Sequence, residues 1–203
     1  MFKEKLLNCS GIQQFNRFYM CKNRFLPQKG HYRKLRVFQL AEVIFDITNI
    51  FTAKFLDRYD RTVDQMNQAA RSGKQNIAEG SINGSTSKEL EIKLTNVARG
   101  SLQELLLDYE DFLRRNGLVQ WTKEDPRTIQ TRKIAQYNLD PQYFRNAVNE
   151  RCAETVANIA ITLIHQADVM LYRLIERQKA DFSKYGGAKE QMYQHRKEKL
   201  RNK

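Results

Sequence analysis

The sequence predicts an all-α protein, an antiparallel four-helix bundle with basic N- and C-terminal extensions. Three observations lead there. Only 9 Gly and 3 Pro occur in 203 residues, too few breakers for a loop-rich β fold. Hydrophobic residues make up 41% of the chain, enough to bury a core. Four long stretches repeat apolar residues every three or four positions, the period of a helix face.

Residues 1–32 are the first extension, basic and aromatic (Phe15, Phe18, Tyr19, Phe25) and without periodicity. Two readings fit: an arm that orders on binding, or a start placed too early, with Met20 as the true beginning. From about Lys34 to Tyr59, residues Val37, Ala41, Ile44, Ile47, Phe51 and Phe55 define one helix face, widened by Phe38 and Phe45. The second helix begins after Asp60, where Thr62 and Gln65 have capping-box spacing. Val63, Met66, Ala70, Gly73 and Ile77 form its seam, and Gly80 and Asn83-Gly84 are its stop signals.

The third helix opens on a second capping box, Thr86-Ser87-Lys88-Glu89, and ends at Asn116-Gly117. Leu90, Leu94, Val97, Ser101, Leu105 and Phe112 line its expected face, with Ala98, Leu102, Tyr109 and Leu113 beside it. An insertion at about 117–148 holds Trp121, Pro126, a short helix near 127–137, and Pro141. The last helix is expected over 149–183, with a seam of Cys152, Val156, Ile159, Leu163, Ala167, Met170 and Leu174, closed by Gly186-Gly187. The bundle thus occupies 33–187, and 188–203 is a basic C-terminal tail.

Charge divides along the same boundaries. The net charge is +12, and residues 1–36 hold nine basic side chains against Glu4 alone, for +8. Residues 188–203 contribute +4, so the bundle between them sums to zero. Such a balance suits a polyanionic partner approached through the ends. Three cysteines, Cys9, Cys21 and Cys152, make neither a disulfide framework nor a zinc site and fit a reducing cytoplasm. No secretory pattern opens the chain, and the longest uncharged stretch, Thr155 to Ala167, is too short to span a bilayer. The expectation is a cytoplasmic protein without membrane contact.

Catalytic and metal chemistry find no foothold. A carboxylate-bridged metal centre in a bundle needs Glu-x-x-His pairs, and none occurs here. His165 and Asp168 share a helix face with Thr162 one turn before, but nothing in that setting activates the hydroxyl. A histidine hydrogen-bonded on the bundle flank is the simpler reading. No phosphate-binding glycine loop is present, and no cofactor is expected. Arg71, Lys74 and Gln75 are spaced to make a phosphate-binding strip on one helix face. The alternative leaves Arg71 and Lys74 solvated while Asn76 and Glu79 cap or cross-link helix ends.

The string from Ala69 to Gly80, with its Asn76-Ile77-Ala78-Glu79-Gly80 end, precedes Thr86-Ser87-Lys88 and then Gly100-Ser101-Leu102-Gln103-Glu104-Leu105. In these strings the chain resembles the bacterial four-helix-bundle protein family. That family includes proteins encoded in intervening sequences of large-subunit ribosomal RNA genes, and Avd, the accessory variability determinant of diversity-generating retroelements. The resemblance covers about residues 33–117. Residues 120–187, with Ala157-Asn158-Ile159-Ala160 and Gln166-Ala167-Asp168, are similar to the C-terminal region of a longer subgroup.

The resemblance implies a homopentameric barrel of bundles and, for Avd-like members, binding of nucleic acid and of a retroelement reverse transcriptase. It also implies close helix packing at Gly73, Gly100 and Ser101. Because the bundle is charge-neutral, the expected nucleic-acid contacts fall on the extensions: Arg33, Lys34, Arg36, Lys189, Arg196, Lys197, Lys199 and Arg201. Arg71 and Lys74 are the expected contacts on the bundle, and Arg17, Lys22, Arg24 and Lys203 extend the basic ends. Phe15, Phe18 and Tyr19 are placed to stack on unpaired RNA or DNA bases. The expected function is a non-enzymatic oligomeric scaffold for nucleic acid or a nucleoprotein partner. The alternative is a protein-interaction scaffold with no nucleic-acid role.

Overall fold

The computed structural model describes residues 31–201, and the expected N-terminal arm with its aromatic residues lies outside them. A 3-10 turn, Tyr32–Lys34, leads into α1 (Arg36–Phe55), α2 (Arg61–Asn83), α3 (Lys88–Arg115), α4 (Pro126–Tyr137), α5 (Pro141–Asn149), α6 (Ala153–Tyr185) and α7 (Ala188–Arg201). The described residues are all-helical, with no strand among them. None of these helices is long and apolar enough to cross a membrane.

Short polar side chains set most of the helix starts. Asp60 accepts from the Thr62 amide at 2.8 Å, so the cap of α2 is the aspartate and not the expected Thr62. A carboxylate there also meets the positive end of the helix dipole. Ser87 caps α3 by accepting from the Leu90 amide at 3.2 Å. Asp125 and Asp140 cap α4 and α5, each with proline at the first helical position. Gly117 and Gly186 have φ of +63° and +68°, and let the chain turn away where α3 and α6 end.

Four long helices, α1, α2, α3 and α6, pack in cyclic order, each against two neighbours. Neighbours run antiparallel. Thr52 meets Asn67 and Phe45 meets Lys74 across α1 and α2. Ser72 meets Ser101 across α2 and α3, and Arg99 meets Asp168 across α3 and α6. At the centre Tyr109 of α3 is fully buried, packs on Phe51 with ring centroids 4.9 Å apart, and donates to Thr48 Oγ1 at 3.1 Å.

Several boundaries differ from the sequence expectation. Gly80 does not stop α2. It is buried in the helix, where a Cβ would sit 3.3 Å from the Glu91 carbonyl, so it serves close packing on α3. On α3, Leu90 and Val97 are exposed, while Ala98, Leu102, Leu105, Tyr109 and Leu113 are buried. A strict seven-residue stripe drifts by about 20° per heptad on a straight helix, which turns its early members outward. The helix expected over 149–183 is one helix, α6, shifted to Ala153–Tyr185, and the expected insertion ends in a further short helix, α5, leaving Cys152 exposed at the break between them. The residues 188–203 expected as a tail form α7 as far as Arg201. Its sequence is rich in helix formers and holds no Gly or Pro after Ala188.

Candidate nucleic-acid interface

The register of α1 against α2 brings the first turn of α1 level with the last turn of α2. The 3-10 turn carrying Arg33 and Lys34 packs on both helices. At that same end α7 begins beside the first turn of α3, where a Cβ on Gly187 would lie 3.4 Å from Glu89 Oε1. Arg33 to Arg36 and the start of α7, remote in sequence, therefore lie at one end of the described residues.

Each expected contact has a definite place. Arg33 and Lys34 are exposed, with the Arg33 guanidinium 5.6 Å from the centre of the Tyr32 ring. Lys189, Arg196, Lys197 and Arg201 are exposed on α7, and Tyr193 and Leu200 share the solvent face of Lys189 and Arg196. The Lys199 side chain and Lys203 lie outside the described residues.

The strip expected from Arg71, Lys74 and Gln75 does not form as a unit. Arg71 and Gln75 are exposed, but Lys74 is half-buried and places its ammonium 4.0 Å from the centre of the Phe45 ring. Asn76 does not cross-link helices. It donates to Ser72 of its own helix, and Ser72 reaches Ser101 at 2.9 Å. Gly73 is packed so closely that a Cβ would meet Leu102 Cδ2 at 2.8 Å. The packing implied for Gly100 is absent among the described residues, since nothing lies within 4 Å of its would-be Cβ.

Arg36 leads to a feature the sequence did not reveal. Its Nη2 donates to the carbonyls of Ala135 at 3.1 Å and Gln136 at 2.8 Å, at the negative end of α4. Around it opens a cleft of about 580 Å³ between α1, α4 and α6, into which Lys123, Arg132 and Arg173 also face. Two residues of α6 hold the insertion in place. Asn158, almost wholly buried, accepts from the Trp121 amide at 2.7 Å and donates to the Val119 carbonyl at 2.9 Å. Gln166 donates to the Arg132 carbonyl at 3.2 Å.

Asp168 is the one carboxylate on the cleft wall, and both its oxygens are taken by Arg99, at 2.6 and 3.2 Å. The Arg99 hydrogen bond holds the Asp168 carboxyl below its ordinary value despite partial burial. Asp168 is therefore not positioned to orient His165, which sits exposed at the rim without a hydrogen bond among the described residues. Thr162 spends its hydroxyl on the Asn158 carbonyl at 2.8 Å. Elsewhere on α3, burial together with Asp111 and Glu104 raises the pKa of Asp108.

Lys123, Arg132 and Arg173 were hidden by the zero charge sum of residues 37–187. No family model matches the chain, and no curated protein or solved structure matches it.

Proposed function

We propose that the protein is a non-enzymatic, cytoplasmic, oligomeric four-helix-bundle scaffold that binds nucleic acid or a nucleoprotein partner such as a retroelement reverse transcriptase. One observation carries the reading: Arg33, Lys34 and Arg36 lie at the same end of the long helices as the start of α7, which carries the second set of cations. Cations gathered this way release counterions from a phosphate backbone together, and Tyr193 offers a ring among them for an unpaired base. Assembly into a homo-oligomer, a pentamer by the resemblance described above, would multiply each weak contact.

The test is titration with single-stranded and duplex RNA and DNA at several salt concentrations, for the intact chain and for a variant with Lys189, Arg196, Lys197 and Arg201 changed to Gln. Affinity should fall steeply with salt, and the variant should bind more weakly with a shallower slope. A flat salt dependence, or equal affinity in the variant, would sink the reading.

The protein-interaction alternative is favoured by apolar side chains that α3 leaves in solvent, Leu90, Val97 and Leu107. Capture of one defined protein partner after nuclease treatment, lost on changing Val97 and Leu107 to Ser, would support it.

A further inference from the structure

We propose that the cleft between α1, α4 and α6 is a nucleotide site, taking the phosphates of a free nucleotide or of the terminal nucleotide of a strand. It shares Arg36 with the reading above, but Lys123, Arg132 and Arg173 are its own, so its failure is distinguishable from the failure of that reading.

Four cations face one cleft, which costs mutual repulsion unless an anion occupies it. The obvious internal neutraliser is not available, because Arg99 occupies both oxygens of Asp168. Arg36 and Arg132 are oriented by backbone carbonyls while keeping other N–H donors free, Arg132 through the Lys123 carbonyl at 3.3 Å. The side chains of Lys123 and Arg173 are exposed and make no hydrogen bond or ion pair among the described residues. Several donors converging from different elements suit the many oxygens of a phosphate better than a lone carboxylate.

Two further features extend the ligand beyond phosphate. Gln166 Oε1 is buried without a hydrogen-bond partner, and Gln166 lines the cleft. A buried acceptor lacking a donor is costly, and a turn of the Gln166 amide toward the cleft would let a ribose hydroxyl or base amino group supply one. Leu40, Leu139 and Met170 give the same cleft an apolar wall for a base or sugar face. At about 580 Å³ the space is of the size that holds small organic ligands.

The experiment measures thermal shift and calorimetric binding for the full chain with ADP, inorganic pyrophosphate, adenosine, and short single strands bearing 5′-phosphate or 5′-hydroxyl. Two variants accompany it: Lys123→Ala with Arg173→Ala, both at exposed positions, and Gln166→Leu. ADP should bind the wild type more tightly than pyrophosphate and far more tightly than adenosine. The double variant should weaken ADP by ~10-fold or more. Gln166→Leu, which also releases the Arg132 carbonyl, should weaken ADP more than it weakens pyrophosphate, a difference that a general loss of folding would not produce.

Preference for the 5′-phosphorylated strand over the 5′-hydroxyl strand assigns the site to strand ends, and ADP binding without that preference assigns it to free nucleotide. Either pattern supports the proposal. No response of the wild type to ADP or pyrophosphate, or equal affinity in the double variant, overturns it.

Discussion

Arg99 and Asp168 are joined by two hydrogen bonds across α3 and α6, at 2.6 and 3.2 Å, and this pairing decides the charge of the cleft beside it. Released from Arg99, the carboxylate would neutralise a neighbouring cation and compete with any anion. The pair therefore joins helices and keeps the cleft positive.

Its contribution to stability has a definite pH dependence. The folded pKa of Asp168 lies below the ordinary 3.8, so the stabilisation is present above that value and is lost as pH falls through the folded one. Arg99→Gln should lower the melting temperature at pH 7 by an amount that shrinks below pH 4. With the Arg99 side chain 36% exposed, the loss at neutral pH should stay near or below about 1 kcal/mol. Melting curves of both proteins across that range check it.

Asp108 should behave in the opposite sense. Burial first, then Asp111 and Glu104, raise its pKa above 3.8, so the ionised form costs stability as pH rises through the folded value. Asp108→Asn is expected to melt higher than the wild type at pH 7, the difference vanishing under acid conditions. A variant that melts lower at pH 7 would contradict the assignment.

Gly73 and Gly100 should respond oppositely to alanine. A Cβ at Gly73 runs into buried Leu102 at 2.8 Å, whereas one at Gly100 meets nothing. Overpacking costs about 1–3 kcal/mol, more than the roughly 0.5–1 kcal/mol an alanine gains over glycine in a helix. Urea unfolding should show Gly73→Ala destabilised and Gly100→Ala stabilised by that smaller amount.

Removing the Tyr109 hydroxyl tests the central polar contact. Tyr109→Phe deletes the bond to Thr48 but leaves Thr48 donating to the Ile44 carbonyl at 2.8 Å. The expected cost is about 0.5–1.5 kcal/mol, with no change in helix content by circular dichroism. An unaltered midpoint in urea would show that the hydroxyl contributes nothing net.

Asn158→Ala should free the insertion. It leaves the Trp121 amide and the Val119 carbonyl without their buried partner, at a cost of about 1–3 kcal/mol. Trp121 is the single tryptophan, so its emission reads out the insertion alone. A red shift with faster amide exchange at 118–137 is expected, together with weaker ADP binding.

Helical periodicity marked α1, α2 and α6 through residues such as Ile44, Met66 and Leu163, because burial of one face leaves a repeat in the sequence. It was a poorer guide on α3, where a heptad stripe that included Leu90 and Val97 drifted into solvent. Gly73 and Gly100 belong to similar small-residue strings, yet only Gly73 is packed. No local pattern distinguishes a glycine beneath a leucine from one facing open space.

The expected contacts at Arg33, Lys34 and Arg36 are exposed where the basic composition put them, while Lys74 bends onto Phe45. The cleft was invisible because Arg36, Lys123, Arg132 and Arg173 are far apart in sequence. What gathers them is tertiary: two α4 carbonyls holding Arg36, and Asn158 and Gln166 anchoring the insertion.

The placement of Arg33 to Arg36 and the start of α7 at one end gives each copy a charged pole. Rotational symmetry sets equivalent points on one circle about the axis. In any cyclic assembly, then, the poles of all copies would lie on one circle at one level along the axis. A strand gripped by several copies would follow that circle, and a stretch too short to bridge neighbouring copies would lose the shared grip altogether.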